Sequence, residues 1–213
     1  MLRLLKIKIS YYSFFIVGLY VILTIIYNHI FFTEIYFSQW YEGILTQTQL
    51  QEAVSMLNKW EWGIIAMNIF MVFVKIVLVA ACLYLGSFFL SNKINYKDIY
   101  NIVLKSEIIC LVCYVVRLLW FQFVHPPESV EALQVMPLSM MSFFDTSIIE
   151  PWLIYPLNTM NIFEVLYFVM LSALMAEAIQ IKFRKAFDLV FVSYGAGLLL
   201  LIVVQMFLIL NNS

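Results

Sequence analysis

The sequence predicts an all-α integral membrane protein whose five transmembrane helices form one bundle, with interfacial helical segments in the outer loops. Two observations predict this class. Of the 213 residues, 64% are hydrophobic and only 12% are charged, whereas a soluble domain carries about a quarter charged residues. Five apolar runs are also long enough to span a membrane, because a bilayer core of about 30 Å needs roughly 20 helical residues.

The predicted spans occupy residues 10–32, 62–90, 101–124, 161–179 and 186–210, and they leave two long outer loops, 33–61 and 125–160. These runs lack the alternation of barrel strands, and helices satisfy their own backbone hydrogen bonds in lipid. The first run exceeds the roughly 7–15 apolar residues of a signal peptide, so we expect a retained anchor. The prediction is a single transmembrane helical domain, 1–213.

Basic residues predict the orientation, because Lys and Arg collect in cytoplasmic loops. Most of them lie at or beside one side of the predicted spans: Arg3, Lys6, Lys8, Lys93, Lys97, Lys105, Lys182, Arg184 and Lys185. The outer loops hold only Lys59 among many carboxylates, and the tryptophans fall at the same boundary, as in an interfacial belt. We therefore expect the N-terminus in the cytoplasm and the C-terminus outside, in a cell membrane, or the inner membrane if the source is Gram-negative.

Ionisable residues inside the predicted spans form the first candidate site. A charge at the bilayer centre costs at least about 2.5–3.5 kcal/mol and usually faces protein or water. Asn68 and Lys75 share one face of the second span, Glu107 and Arg117 share one face of the third, and Glu164 lies near the outer end of the fourth. We expect these five residues to form an intramembrane polar network. It is either an ion or substrate path, or a set of ion pairs that fixes helix register.

Lys75 is expected to pair first with Glu107 and second with Glu164. If this pair is structural, Lys75→Met should cost little or even stabilise, because it also removes the desolvation cost of one ion. Removal of the acid alone should cost about 3–5 kcal/mol, because the lysine is left buried and unpaired.

The outer loops contain patterns of local structure. Thr46 to Gln49 has the pattern of a helix capping box, and Leu50, Val54 and Leu57 follow with helical spacing. The second loop is unusually apolar, and we expect a partner-binding surface there, formed by Met140, Met141, Phe143, Phe144 and Trp152. An interfacial or re-entrant segment, or a lid over the protein's own bundle, is the alternative.

Small residues predict close helix packing. Ser172 and Ala176 on the fourth span and Ser193 and Gly197 on the fifth are small pairs four residues apart. The short turn 180–185 predicts that these two spans form an antiparallel hairpin.

Other signatures of chemistry are absent from the sequence. The net charge of −1 gives no case for nucleic-acid binding, and no nucleotide-binding loop or serine nucleophile elbow occurs. Cys110 and Cys113 lie mid-span with no second cysteine pair, which favours buried thiols over a zinc site. The two histidines, His29 and His125, are weak metal candidates at the outer boundary. We expect no cofactor and no enzymatic activity.

The last third of the chain resembles the end of Yip1-family membrane proteins. The similarity rests on Pro156 to Asn158, on the run Lys182 to Ala186 and on the closing apolar span. It implies five spans and a cytoplasmic N-terminus. The D-L-Y-G-P-type motif of the eukaryotic members is missing here, so the resemblance supplies neither a trafficking role nor functional residues.

These patterns favour a non-enzymatic subunit of a larger membrane assembly, one that exports or inserts a substrate. Its partners would be the lipid bilayer and other membrane-protein subunits. Two alternatives belong to other classes: a small transporter or permease with a polar path through the second and third spans, and a membrane enzyme with an outer-face metal at His29 and His125. High Ile, Tyr, Phe and Asn with low Gly and Pro suggests a bacterial source with an AT-rich genome.

Overall fold

A computed structural model describes residues 9–41, 44–89, 94–144 and 148–212, of which 84% are helical and none lies in a strand. The all-α prediction is therefore confirmed. In chain order the α-helices of the described part are α1 (Ile9–Phe31), α2 (Glu34–Trp40), α3 (Gln47–Lys59), α4 (Glu61–Phe89), α5 (Tyr96–Leu119), α6 (Pro151–Thr159), α7 (Ile162–Ile179) and α8 (Phe183–Asn212).

Four helices within the described residues are long and apolar enough to cross a membrane, which is consistent with a multi-pass membrane protein. These segments of α1, α4, α7 and α8 are Tyr11–Phe31, Glu61–Phe88, Ile162–Ile179 and Phe183–Asn211. They coincide with the first, second, fourth and fifth predicted spans. The third predicted span forms α5, which continues through a π-helical turn, Trp120–Val124. Helix α5 is less apolar than the four segments above because Lys105, Glu107 and Arg117 lie along it.

Contacts between residues divide the chain into two units. Unit 1 comprises Met1–Phe73 and Tyr114–Gln134, and unit 2 comprises Val74–Cys113 and Val135–Ser213. The single bundle expected from the sequence stays a prediction.

An aromatic core holds unit 1 together. Phe31, Phe121 and Leu133 are buried at its centre, and the rings of Phe31 and Phe121 meet nearly edge-on with centroids 6.0 Å apart. The indole of Trp40 donates a hydrogen bond to the carbonyl of Pro127 at 2.9 Å. This bond ties α2 to the loop that follows the π-helical turn.

The capped helix predicted in the first outer loop is confirmed as α3. The Thr46 hydroxyl accepts from the backbone N–H of Gln49, and the Gln49 side chain accepts from the backbone N–H of Thr46 at 2.9 Å. Each bond satisfies a donor that the first helical turn would otherwise leave without a partner. Leu50 and Val54 lie one turn apart and are buried with Phe37 of α2.

The hairpin predicted in unit 2 is confirmed as α7 and α8, which pack against each other. Helix α7 ends because Gln180 adopts the left-handed conformation with φ 57°, which is common at helix ends, and α8 begins at Phe183.

Before this hairpin, the segment 136–143 is hydrogen-bonded to the end of α6. The backbone N–H of Met136 donates to Oδ1 of Asn158 at 2.8 Å, and that of Met140 donates to the carbonyl of Met160 at 2.9 Å.

Candidate functional site

The first candidate site is a polar cluster in unit 2, built around the Glu107 carboxylate. This side chain is fully buried, with 0% exposure, whereas the Lys75 side chain is 38% exposed. Nζ of Lys75 lies 3.1 Å from Oε1 of Glu107 and 3.3 Å from Oε2. The Tyr167 hydroxyl donates to the same Oε1 at 3.2 Å. The lysine predicted to pair with Glu107 is therefore beside it, in an ion pair that joins α4 to α5.

Lys75 has two further neighbours in this cluster. Its ammonium donates to Sγ of Cys110 at 2.9 Å and lies 4.9 Å from the centroid of the Tyr167 ring. Cys110 follows Glu107 by three residues on α5, so one helix face presents both groups to the lysine. A thiol, a carboxylate and an aromatic face together replace part of the water that an ammonium loses on burial.

A third predicted network residue, Glu164, belongs to a second part of the same cluster. Its Oε1 accepts a hydrogen bond from the Tyr194 hydroxyl at 2.6 Å, and the Tyr194 and Tyr167 rings meet at 5.6 Å. Asn161 fixes the start of α7, because its Oδ1 accepts from the backbone N–H of Glu164 at 2.8 Å. The polar cluster thus comprises Lys75, Glu107, Cys110, Glu164, Tyr167 and Tyr194, from α4, α5, α7 and α8.

Sequence reasoning missed the two tyrosines of this cluster. Tyr167 follows Glu164 by three residues on α7, so its hydroxyl was already on the acidic face of that helix. Tyr194 had no comparable signal, because its partner Glu164 lies 30 residues away. A tyrosine hydroxyl buried in apolar surroundings needs a hydrogen-bond partner. This requirement is the general signal that could have pointed to both tyrosines.

The other two predicted network residues, Asn68 and Arg117, belong to unit 1. The side chain of Asn68 is exposed. The Arg117 guanidinium donates to the carbonyl of Leu133 and lies 5.6 Å and 5.8 Å from the ring centroids of Tyr27 and Phe121. The charge of Arg117 is therefore engaged by a carbonyl and by aromatic faces.

An apolar groove forms the second candidate site in unit 2. It has a volume of about 1290 Å³ and lies between the segment 138–143 and the hairpin of α7 and α8. Met140 and Phe143, two residues of the predicted partner-binding surface, line it and are 46% and 81% exposed. Phe144 is 49% exposed and Trp152 is half-buried. Met141 differs from the prediction, because its side chain is fully buried and is not available to a partner.

The small residues of α8 contact α4. A Cβ atom added to Gly86 would lie 2.4 Å from Cβ of Ser193, and one added to Gly197 would lie 2.7 Å from Sγ of Cys82. Ser193 and Gly197 therefore allow α8 to approach α4, whereas Gly195 faces Phe168 of α7. On α7, Ser172 is fully buried and donates to the carbonyl of Phe168, and Ala176 is half-buried.

The weak metal candidates do not come together as a ligand set. Nδ1 of His29 lies 3.6 Å from Oε1 of Glu61, and His125 is exposed at the end of the π-helical turn. Within the described ranges no three His, Cys, Asp or Glu side chains are grouped so as to hold a metal ion. Asp145 of the second outer loop lies outside those ranges. The three cysteines lie within them, and none forms a disulfide.

No family model matches this chain, and no curated protein or solved structure matches it significantly.

Proposed function

We propose that this chain is a non-enzymatic, multi-pass subunit of a larger bacterial membrane assembly that exports or inserts a substrate. In this proposal the chain crosses the membrane five times, with its N-terminus in the cytoplasm. The observation that carries the proposal is the groove of α7 and α8. It is apolar, open and continuous with the exposed side chains of Met140 and Phe143.

The contacts of α5 support its assignment as a membrane-spanning helix in addition to α1, α4, α7 and α8. A charge inside a membrane is tolerated when it faces protein. Glu107 is buried against Lys75 and Tyr167 within unit 2, and Arg117 contacts a carbonyl and two aromatic rings within unit 1. The basic residues of the sequence and its resemblance to Yip1-family proteins support the same five-span topology.

The shape of the groove favours one occupant, a transmembrane helix of a partner protein. The α8 side of the groove extends from Phe187 to Val203, which is about 24 Å at 1.5 Å per residue. This is most of the thickness of a bilayer core, about 30 Å. Ala196 lies near its middle and is exposed, and a small residue at that position lets a second helix approach closely.

The test places a photo-crosslinking residue at Leu199, which lines the groove and is 64% exposed. The control position is Phe207 on the same helix, which is 65% exposed and does not line the groove. In intact membranes, Leu199 should crosslink to one protein through an apolar helix, and Phe207 should capture lipid. Phe143→Ser should abolish the Leu199 crosslink, because it removes an exposed aromatic anchor.

Ile148→Ser is the matched control, since Ile148 is an 80% exposed apolar residue of the same loop that does not line the groove. It should leave the crosslink intact. Crosslinking of Leu199 to lipid alone, or to a second copy of this chain, would overturn the proposed occupant.

A second candidate function, a small transporter with a polar path, is favoured by the ion pair between the partly exposed Lys75 and the buried Glu107. A transporter that moves protons through this pair should produce proton flux in liposomes, and Lys75→Met should abolish that flux. Lys59→Met is the control, because Lys59 is exposed in unit 1. Absence of flux from the unaltered protein would rule out this mechanism.

A further inference from the structure

A second cavity lies in unit 1 and is independent of the groove in unit 2. It has a volume of about 370 Å³, which falls within the roughly 300–1,000 Å³ of small-molecule sites. The end of α1, the start of α2, the last turns of α3 and the first turn of α4 surround it. We call it the His29–Glu61 pocket.

The Glu61 carboxylate is the unusual feature of this pocket. Its Oε1 is buried and has no hydrogen-bond donor among the described residues. Nδ1 of His29 is 3.6 Å away, which is longer than a hydrogen bond. A buried acceptor without a donor is costly, and more so when it is charged. The rest of the Glu61 side chain lines the pocket and is 26% exposed, so a cation in the pocket would lie beside this carboxylate and stabilise its charge.

The rest of the lining specifies the chemistry of such a ligand. Glu34 lines the rim and adds a second carboxylate, and no Lys or Arg lines the pocket. Asn28, Thr33 and Asn58 supply amides and a hydroxyl, while Phe32, Val54, Leu57 and Ile64 supply apolar wall. The lining thus combines two carboxylates with apolar side chains. A bare metal ion is not suited to it, because the described residues offer no group of three ligands.

We propose that the His29–Glu61 pocket binds a small organic cation, a primary ammonium group on a compact apolar body. The ammonium has three donors, and it would pair with the Glu61 carboxylate where that side chain lines the pocket. The apolar body would lie against Leu57 and Ile64. A charge-assisted bond between ammonium and carboxylate is stronger than a bond between neutral groups, so the site selects amines over alcohols of the same shape.

The test uses 2-phenylethylamine as the probe and 2-phenylethanol as its neutral counterpart, with the full chain in mild detergent. Isothermal titration should give saturable binding of the amine with a Kd below about 1 mM. The alcohol should give only the unsaturable partitioning seen with empty micelles.

Glu61→Gln should weaken amine binding at least tenfold while keeping the size of the side chain. Glu52→Gln removes the same charge from an exposed position on α3 that does not line the pocket, and it should leave Kd unchanged. His29→Lys should also abolish binding, because it places a permanent cation beside Glu61; His29 is 72% exposed, so this change should not disturb folding. Equal binding of amine and alcohol, equal loss in Glu61→Gln and Glu52→Gln, or no saturable binding would each overturn the proposal.

Discussion

Removing the charge of Lys75 tests whether the ion pair at the centre of unit 2 stabilises the fold. Lys75→Met keeps an unbranched side chain of similar length but removes the ammonium. It leaves the Glu107 carboxylate, which is 0% exposed, with the hydrogen bond from Tyr167 but without its cation. Loss of one partner from a buried pair costs about 3–5 kcal/mol in soluble proteins. We expect about 3 kcal/mol, the lower end of this range, because 38% of the lysine side chain is exposed and water screens its attraction to the carboxylate.

Glu107→Gln should cost less than Lys75→Met, about 1–2 kcal/mol. The amide keeps the size of the side chain and still accepts from Tyr167 and Lys75. The lysine also keeps Cys110 and the Tyr167 ring as neighbours. This order is the reverse of the one expected from sequence, because the structure makes the glutamate, and not the lysine, the more deeply buried partner.

The assay is reversible unfolding in mixed detergent micelles, followed by circular dichroism, for both single variants and the double variant. The two changes should not add, and the coupling free energy should be about 1–2 kcal/mol. Lys59→Met removes an exposed lysine and should leave the unfolding free energy unchanged. Additive effects, or a Lys75→Met variant as stable as the unaltered protein, would refute the claim that the pair stabilises unit 2.

Two further predictions concern packing and topology. Gly86→Ala should destabilise the protein by about 1–3 kcal/mol in the same assay, because its Cβ would lie 2.4 Å from Cβ of Ser193; Gly18→Ala should be tolerated, since its Cβ meets nothing within 4 Å. In a background with the native cysteines replaced by alanine, Thr48→Cys should react with a membrane-impermeant thiol reagent in intact cells, and Asn95→Cys should react only after permeabilisation. Labelling of Asn95→Cys in intact cells would contradict the five-span topology.

The sequence alone determined the features that depend on neighbouring residues. Hydropathy over windows of about 20 residues predicted five spans, and four of them match helices long and apolar enough to cross a membrane. Likewise, Thr46 and Gln49 form the capping box that their spacing predicted. Both properties are local, since a span needs only its own apolar residues and a cap needs only its first turn.

The tertiary structure alone decided which distant side chains meet. Seven-residue spacing placed Asn68 and Lys75 on one helix face, and the sequence left two candidate partners for Lys75, Glu107 and then Glu164. The structure pairs Lys75 with Glu107 in unit 2, whereas Asn68 is exposed in unit 1. The bond between Glu107 and Tyr167 joins residues 60 positions apart, and no local pattern specifies it. The physical reason is that such contacts depend on the rotation of each helix about its axis, which is set by the packing of all its neighbours together.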